Sequence, residues 1–178
     1  MARRTRVATV PAGPAALAYH RFMPEATEAR KVVLPPRADL ARTSATFSDA
    51  ALAFLRTPGR YAVVATVDPD GAPHQAVVWY RLDATTIVIN SAEGRRWPAN
   101  LGRDPRLSLA VADGYDWVSV VGTAEPVHDQ AIAQADIAAM AMAYDAPDDA
   151  ARAILRFRGQ HRISFRIRPD RIHEEFED

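Results

Sequence analysis

The apolar pattern changes period several times along this chain, and each change marks an element. Before residue 47 no period is sustained. Residues 1–46 are rich in Pro, Ala and Arg, include Pro35-Pro36, and read as an arm that buries little by itself. Within it Ala15 to Phe22 could form a short helix, with Leu17 and Phe22 available to pack. From 47 to 178 the pattern is that of one folded domain. Ser48 is a good N-cap for Ala50-Ala51-Leu52-Ala53-Phe54-Leu55, a helix that must stop before Pro58-Gly59. Tyr61 to Val67 is rich in β-branched residues and predicts a strand. Asp68-Pro69-Asp70-Gly71 is a strong turn signal, and Ala76 to Leu82 predicts the returning strand of a hairpin.

Asp83-Ala84-Thr85 turns the chain into a third strand, Thr86 to Ser91. A helix of little more than one turn follows within Glu93 to Leu101, after which Asp104-Pro105 breaks the chain. Strands are expected at Arg106 to Ala112 and, past Asp113-Gly114, at Trp117 to Ala124, reaching toward Val127. An Ala-rich helix spans about Gln130 to Tyr144, Asp145 to Asp148 interrupt it, and a second helix covers Ala150 to Phe157. Two last strands, Ile163 to Ile167 and Arg171 to Phe176, are separated at Pro169-Asp170. Hairpin-length connections imply a mainly antiparallel sheet, and short strands at this spacing suggest a closed or nearly closed barrel with helices at its edge.

Composition narrows the chemistry. At 178 residues the chain is long enough for one substantial core. Lys plus Arg and Asp plus Glu are both 22, so net charge supplies no argument for nucleic acid or an anionic membrane. No apolar run approaches the ~20 residues of a membrane span. Val7 to Ala18, with two prolines and a glycine, makes a poor signal core, so a cytoplasmic protein is expected. With no cysteine, disulfides, thiolate metal sites and cysteine catalysis are excluded. His20, His74, His128, His161 and His173 are scattered without ligand spacing, so no metal site is expected. Gly-x-Ser-x-Gly, Gly-x-Gly-x-x-Gly and P-loop patterns are all missing, which argues against a serine hydrolase and against the usual dinucleotide and NTP sites.

The segment that carries chemistry is Glu93-Gly94-Arg95-Arg96-Trp97-Pro98-Ala99-Asn100-Leu101. A polar strand end, a glycine, two adjacent guanidinium groups and a helix start form a place to hold a phosphate. Arginine offers forked donors, and the helix start offers unpaired N–H groups at the positive end of its dipole. Pro98 suits the first turn, where its missing donor costs nothing. A solvated basic loop between strands would look the same, so both readings stand at this point.

The string Gly94-Arg95, Asn100-Leu101, Asp104-Pro105-Arg106 resembles the split β-barrel flavin and deazaflavin oxidoreductases, the pyridoxamine 5′-phosphate oxidase-like proteins. Ala65-Thr66, Gly71-Ala72-Pro73, Val77-Val78-Trp79-Tyr80 and Gly122-Thr123-Ala124 fit the same family, and the likeness runs from about Phe47 to Phe176. Within the family the chain looks most like the branch using the deazaflavin coenzyme F-420. The resemblance implies an antiparallel split barrel with flanking helices and a homodimer with coenzyme sites at the subunit interface. It implies hydride transfer from reduced F-420 to a small organic substrate, with FMN as the alternative coenzyme. The ring would lie near Gln75, Val77, Val78 and Trp79. The phosphate end would meet Asn90, Ser91, Arg95, Arg96 and Asn100. Family members often carry a lysine in the short helix where this chain has Trp97, which leaves Arg95 and Arg96 to supply the charge.

Such a coenzyme needs few protein acids or bases, since the protein positions the ring and excludes water. A carrier that binds flavin or deazaflavin without turnover would show the same lack of a catalytic set. Trp79 could flank a ring or simply fill core. Arg152, Arg156, Arg158, Arg162, Arg166 and Arg168 form a late basic cluster that could face an anionic partner, or pair with Asp and Glu on a solvated face.

Overall fold

A computed structural model of the protein describes residues 45–177, so the arm boundary at 46 and the helix expected at 15–22 lie almost wholly or wholly outside the described residues. The body opens with α1 (Asp49–Arg56), whose N-terminus is capped by Ser48 accepting from the Ala51 amide. Four strands follow: β1 (Ala62–Val67), β2 (Pro73–Val78), β3 (Tyr80–Asp83) and β4 (Thr86–Ala92). After α2 (Arg96–Arg103) come β5 (Arg106–Asp113) and β6 (Asp116–Val127). Helices α3 (Gln130–Tyr144) and α4 (Pro147–Arg158) precede β7 (Arg162–Glu175).

All seven strands share one antiparallel sheet in the order β2-β1-β5-β6-β7-β4-β3. The two edge strands, β2 and β3, are consecutive in sequence and separated only by Trp79. A flat seven-stranded sheet could not bring its edges that close, so the sheet must curl until they nearly meet. This corrects the expected continuous strand from 76 to 82: the segment changes neighbours at Trp79, pairing with β1 before it and β4 after it. The Tyr144 hydroxyl holds this seam. It donates toward the carbonyls of Arg60 (2.6 Å) and Tyr80 (3.1 Å) and accepts from the Tyr80 amide (3.3 Å).

A second correction concerns the C-terminus. The two expected strands are one long strand, β7, which passes through Pro169 without ending. Opposite it the register of β6 shifts between Val121 and Gly122: Val121 faces Arg171 and Gly122 faces Pro169, leaving Asp170 as the extra residue of a bulge. The bulge absorbs the proline that otherwise reads as a break. It also forces a close approach, because a Cβ on Gly122 would lie 2.1 Å from the Arg168 carbonyl oxygen. Helix α4 starts three residues earlier than expected, with Pro147 in its first turn.

The core is the inside of the curl. Val64, Ile87, Ile89, Leu109, Val111, Val118, Val120 and Phe165 are buried there, and Trp97 of α2 packs on Phe165 with ring centroids 5.6 Å apart. Strand β4 is buried on both faces. Ile87 and Ile89 face the barrel core, while Val88 meets Ile137 and Met140 of α3. Phe165 has no exposed surface. Its replacement by alanine should cost about 3–5 kcal/mol, read as a lower urea midpoint at unchanged slope.

Candidate functional site

The candidate site grows from the end of β1. Turning at Gly71, whose φ is +85°, the chain leaves Asp68 buried beside the barrel mouth. Asp68 receives a forked pair of hydrogen bonds from Arg96, Nε to Oδ1 at 2.9 Å and Nη2 to Oδ2 at 2.5 Å. Asn100 Nδ2 donates to the same Oδ1 at 2.8 Å and to Thr66 Oγ1 at 3.1 Å. Arg103 completes the knot by donating to Asn100 Oδ1 and to the Val67 carbonyl. Arg96, then Asn100, hold the Asp68 carboxyl below its ordinary range, and Asp68 in turn raises the Arg96 guanidinium. Three side chains of an eight-residue helix are thereby tied to one strand end, a strong constraint for so short a helix.

This knot fixes the start of α2. Gly94, at φ +81°, supplies the left-handed turn that L side chains rarely adopt, and Arg95 occupies the N-cap position without any side-chain cap. The Arg96 and Trp97 amides at the start of α2 therefore have no side-chain cap, Pro98 having no N–H to cap, and the Arg95 guanidinium beside them is exposed. Of the two adjacent arginines, Arg96 is spent on Asp68, although its side chain remains 66% exposed, and Arg95 forms no ion pair among the described residues.

The remaining residues expected at the phosphate end separate by strand parity. Ser91 shares the core-facing side of β4 with Ile87 and Ile89. It is buried, and its hydroxyl has no hydrogen-bond partner among the described residues. Asn90 faces the helices instead. Its Nδ2 donates to the Ala133 carbonyl and to Ser164 Oγ, both at 2.9 Å, and its Oδ1 accepts from Arg162 Nε at 2.9 Å and Nη2 at 2.6 Å. Ser164 continues to Asp136 at 2.7 Å, and Asp136 pairs with Arg81 at 3.0 Å. Asn90 and Asn100 thus have their polar groups filled by the protein.

On the ring side, Gln75 and Val77 are exposed on the edge strand β2, Val77 at 68%. Cross-strand pairing sets them in two rows on the outer face: Val77, Val63, Ala110 and Ser119, then Gln75, Ala65, Ser108 and Val121. Small side chains leave this face shallow and flat. Val78 points the other way, into the core. Trp79 is stacked on Tyr144 at 5.3 Å and meets Phe157 edge-on at 6.4 Å, so its ring fills the space between seam and helices.

Sequence reasoning missed Asp68, Thr66, Asp136 and Ser164. Asp68 reads as a turn residue, and only its contact with Arg96 shows its second task. The late arginines also resolve differently one by one. Arg152 pairs with Asp149, Arg166 with Asp83 and Arg168 with Glu125, whereas Arg162 is buried under α3 and α4.

Hollows mark the surface of the described residues, and two of them bear on the site. One, of about 420 Å³, is lined by Phe47, Thr85, Thr86, Glu125, Arg166 and Arg168 at the start of β4, the end away from Arg95. The other, of about 440 Å³, lies between α3 and the end of α4. Neither includes any residue expected to hold the coenzyme. Among the described residues no helix is long and apolar enough to cross a membrane.

A curled antiparallel sheet whose edge strands meet at a one-residue seam, with a short helix tied across its mouth, is a split β-barrel. Residues 47–164 match the family model of pyridoxamine 5′-phosphate oxidase, and the chain belongs to that family. No curated protein sequence matches it. Among solved structures it is similar to Rv2991, a conserved hypothetical protein from Mycobacterium tuberculosis. That match has 24% identity over 75% of this chain and 87% of the other, with a TM-score of 0.58. It is similar to an F420 reductase, at 24% identity over 67% of this chain and 94% of the other, with a TM-score of 0.54. It is also similar to HutZ, the heme storage protein of Vibrio cholerae, at 18% identity over 72% and 95%, with a TM-score of 0.54. At these identities the likeness is one of fold, and the fold hosts both an oxidoreductase and a storage protein.

Proposed function

We propose that this protein is a homodimeric oxidoreductase that binds reduced coenzyme F-420 and delivers hydride from it to a small organic substrate. The observation that carries the reading is the uncapped start of α2, held in place by the Asp68–Arg96–Asn100 knot with Arg95 at the cap. Helix amides and one unpaired guanidinium are a donor set suited to a phosphate. The buried, unpartnered Ser91 hydroxyl fits a polar ligand group at the same strand end. Beside the knot, the flat outer face around Ala65, Gln75 and Val77 suits a planar ring, and backbone groups along the free edge of β2 can hydrogen-bond to one. When bound, the coenzyme supplies the hydride chemistry. The protein's part is to hold the phosphate with Arg95 and α2, orient the ring along β2 and keep water from it.

The reading includes a second copy of the chain. Val77 and Val63 lie exposed on an unpaired edge strand and its neighbour, a surface that dimerisation would cover. Light scattering should report a dimer. The F420 reductase among the structural neighbours supports the choice of F-420 over FMN, and a storage role is the competing reading.

Titrating the purified chain with F-420 and with FMN tests the reading. F-420 should bind more tightly, and its reduced form should be oxidised by members of a substrate panel. Removing the Arg95 charge as Arg95→Gln should weaken coenzyme binding by roughly 10- to 100-fold, the equivalent of one charge-assisted contact of about 1.5–3 kcal/mol. Tighter FMN binding, or unchanged affinity in Arg95→Gln, would overturn it. Tight binding without turnover on any substrate would make the protein a carrier.

A further inference from the structure

On the helix side of β4 and β7, away from the flat outer face, lies a hollow of about 440 Å³ lined by Gln130, Gln134, Arg158, Gly159, Gln160 and His161. We propose that this hollow is a second binding site, for a small polyanion carrying two or more phosphate or carboxylate groups.

The argument begins with Arg162, which lies behind the lining, bonded to Gln130 through its backbone and to Gln160 through its side chain. It is only 2% exposed, yet among the described residues no carboxylate forms an ion pair with it. Its partners are neutral: Asn90 Oδ1, Gln160 Oε1 at 2.6 Å, and the face of the Phe157 ring with the guanidinium carbon 4.8 Å from its centroid. A buried charge compensated only by dipoles projects its field through the surrounding low-dielectric protein. Burial, and then the nearby Arg95, depress this guanidinium to about 10.

Arg162 also polarises the wall of the hollow. Its Nη1 can only donate, so it fixes the Gln160 amide with the oxygen inward. The Gln160 Nε2 group is thereby left as a free pair of donors, without a partner among the described residues. The neighbouring amides are set differently. Gln130 exchanges hydrogen bonds with the Arg162 backbone, and Gln134 Nε2 ties down the Phe157 and Gln160 carbonyls at the end of α4. With those carbonyls covered, the end of the helix presents less negative charge to the hollow.

The rim supplies mobile charge. Arg158, exposed in the last turn of α4, forms no ion pair among the described residues. Two acids lie beside this rim: Glu93 is engaged by His161 Nδ1 at 3.0 Å and lies 3.6 Å from His128 Nδ1, and Asp129, next to Gln130, caps α3 by accepting from the Ile132 amide. An unpaired arginine and free amide donors therefore border one shallow hollow, whose volume exceeds the need of a single phosphate group.

The site does not depend on the coenzyme reading and is tested apart from it. Full-length protein would be titrated at low salt by calorimetry with inorganic pyrophosphate and, separately, with citrate. Saturable binding of at least one is expected, weakened tenfold or more in Arg158→Gln, less in Arg95→Gln, whose charge lies near Arg162, and unchanged in Arg152→Gln. The more tightly bound probe identifies phosphate or carboxylate as the preferred group. Gln160→Ala, which removes the fixed donors but no charge, should weaken binding as well. Absence of saturable binding, equal affinity in wild type and Arg158→Gln, or loss of binding in Arg95→Gln alone would overturn the proposal. The last result would put the anion at the start of α2.

Discussion

Gly122→Ala should yield a protein that is grossly destabilised or does not accumulate in folded form. A methyl group there would sit 2.1 Å from the Arg168 carbonyl oxygen and 3.1 Å from the Pro169 Cα. Both belong to backbone, so no side-chain rotation relieves the contact. The strands would have to part at the bulge where β6 and β7, the longest pair in the sheet, change register. Overpacking alone typically costs about 1–3 kcal/mol, and a rigid backbone contact belongs at or beyond the upper end. The check is a urea melt of the purified variant against wild type. The helical Gly102 is an internal control, because a Cβ there meets nothing within 4 Å. Gly102→Ala should be neutral or mildly stabilising, since alanine is the better helix former. Equal midpoints for Gly122→Ala and wild type would show that the bulge is not so tight.

Asp68→Ala should produce the largest loss of coenzyme binding of any single change that does not touch the coenzyme. Without the carboxylate, Arg96 and Asn100 lose their shared acceptor, and α2 is left tied to β1 by Asn100 to Thr66 and Arg103 to Val67, and to the core by Trp97 and Leu101. Arg95 and the uncapped amides would then no longer be held at one place, and ordering them on binding would cost affinity. A drop of tenfold or more is expected by titration, together with a lower thermal midpoint. Acid stability separates this role from simple loss of fold. The Asp68 carboxyl is depressed in the native state, so its stabilising effect is complete above the ordinary carboxylate range, about 4. That effect fades as pH falls through the lower native value. Asp68→Asn, which keeps the shape and lacks the titration, should therefore lose less stability than wild type as pH falls below about 4. Parallel acid curves for the two proteins would remove Asp68 from its position as anchor.

Much of the local structure could be read from the residues. The Ser48 cap, the Asp68 to Gly71 turn and the Asp113-Gly114 turn stand where expected, and Gly71 and Gly114 both have positive φ. Pro169 misled, because a proline is a local signal whose meaning depends on the strand opposite. The bulge that accommodates it is made possible by Gly122, far away in sequence. Trp79 misled similarly. Nothing in Val77-Val78-Trp79-Tyr80 shows that the chain switches partners there, since that follows from closure of the sheet.

The chain by itself determined the helices, the turns, and the polar corner at 93–101. Each depends on torsion preferences and side-chain periods that act over a few residues. Only the tertiary structure decided which polar groups at that corner remain open to a ligand. Arg96 meets Asp68 across 28 positions and Arg162 meets Asn90 across 72. Two neighbouring arginines with the same chemistry therefore take different tasks: Arg96 lies against a buried carboxylate, and Arg95 does not. That difference comes from register and curvature of the sheet, which bring distant strands together and which no local preference encodes.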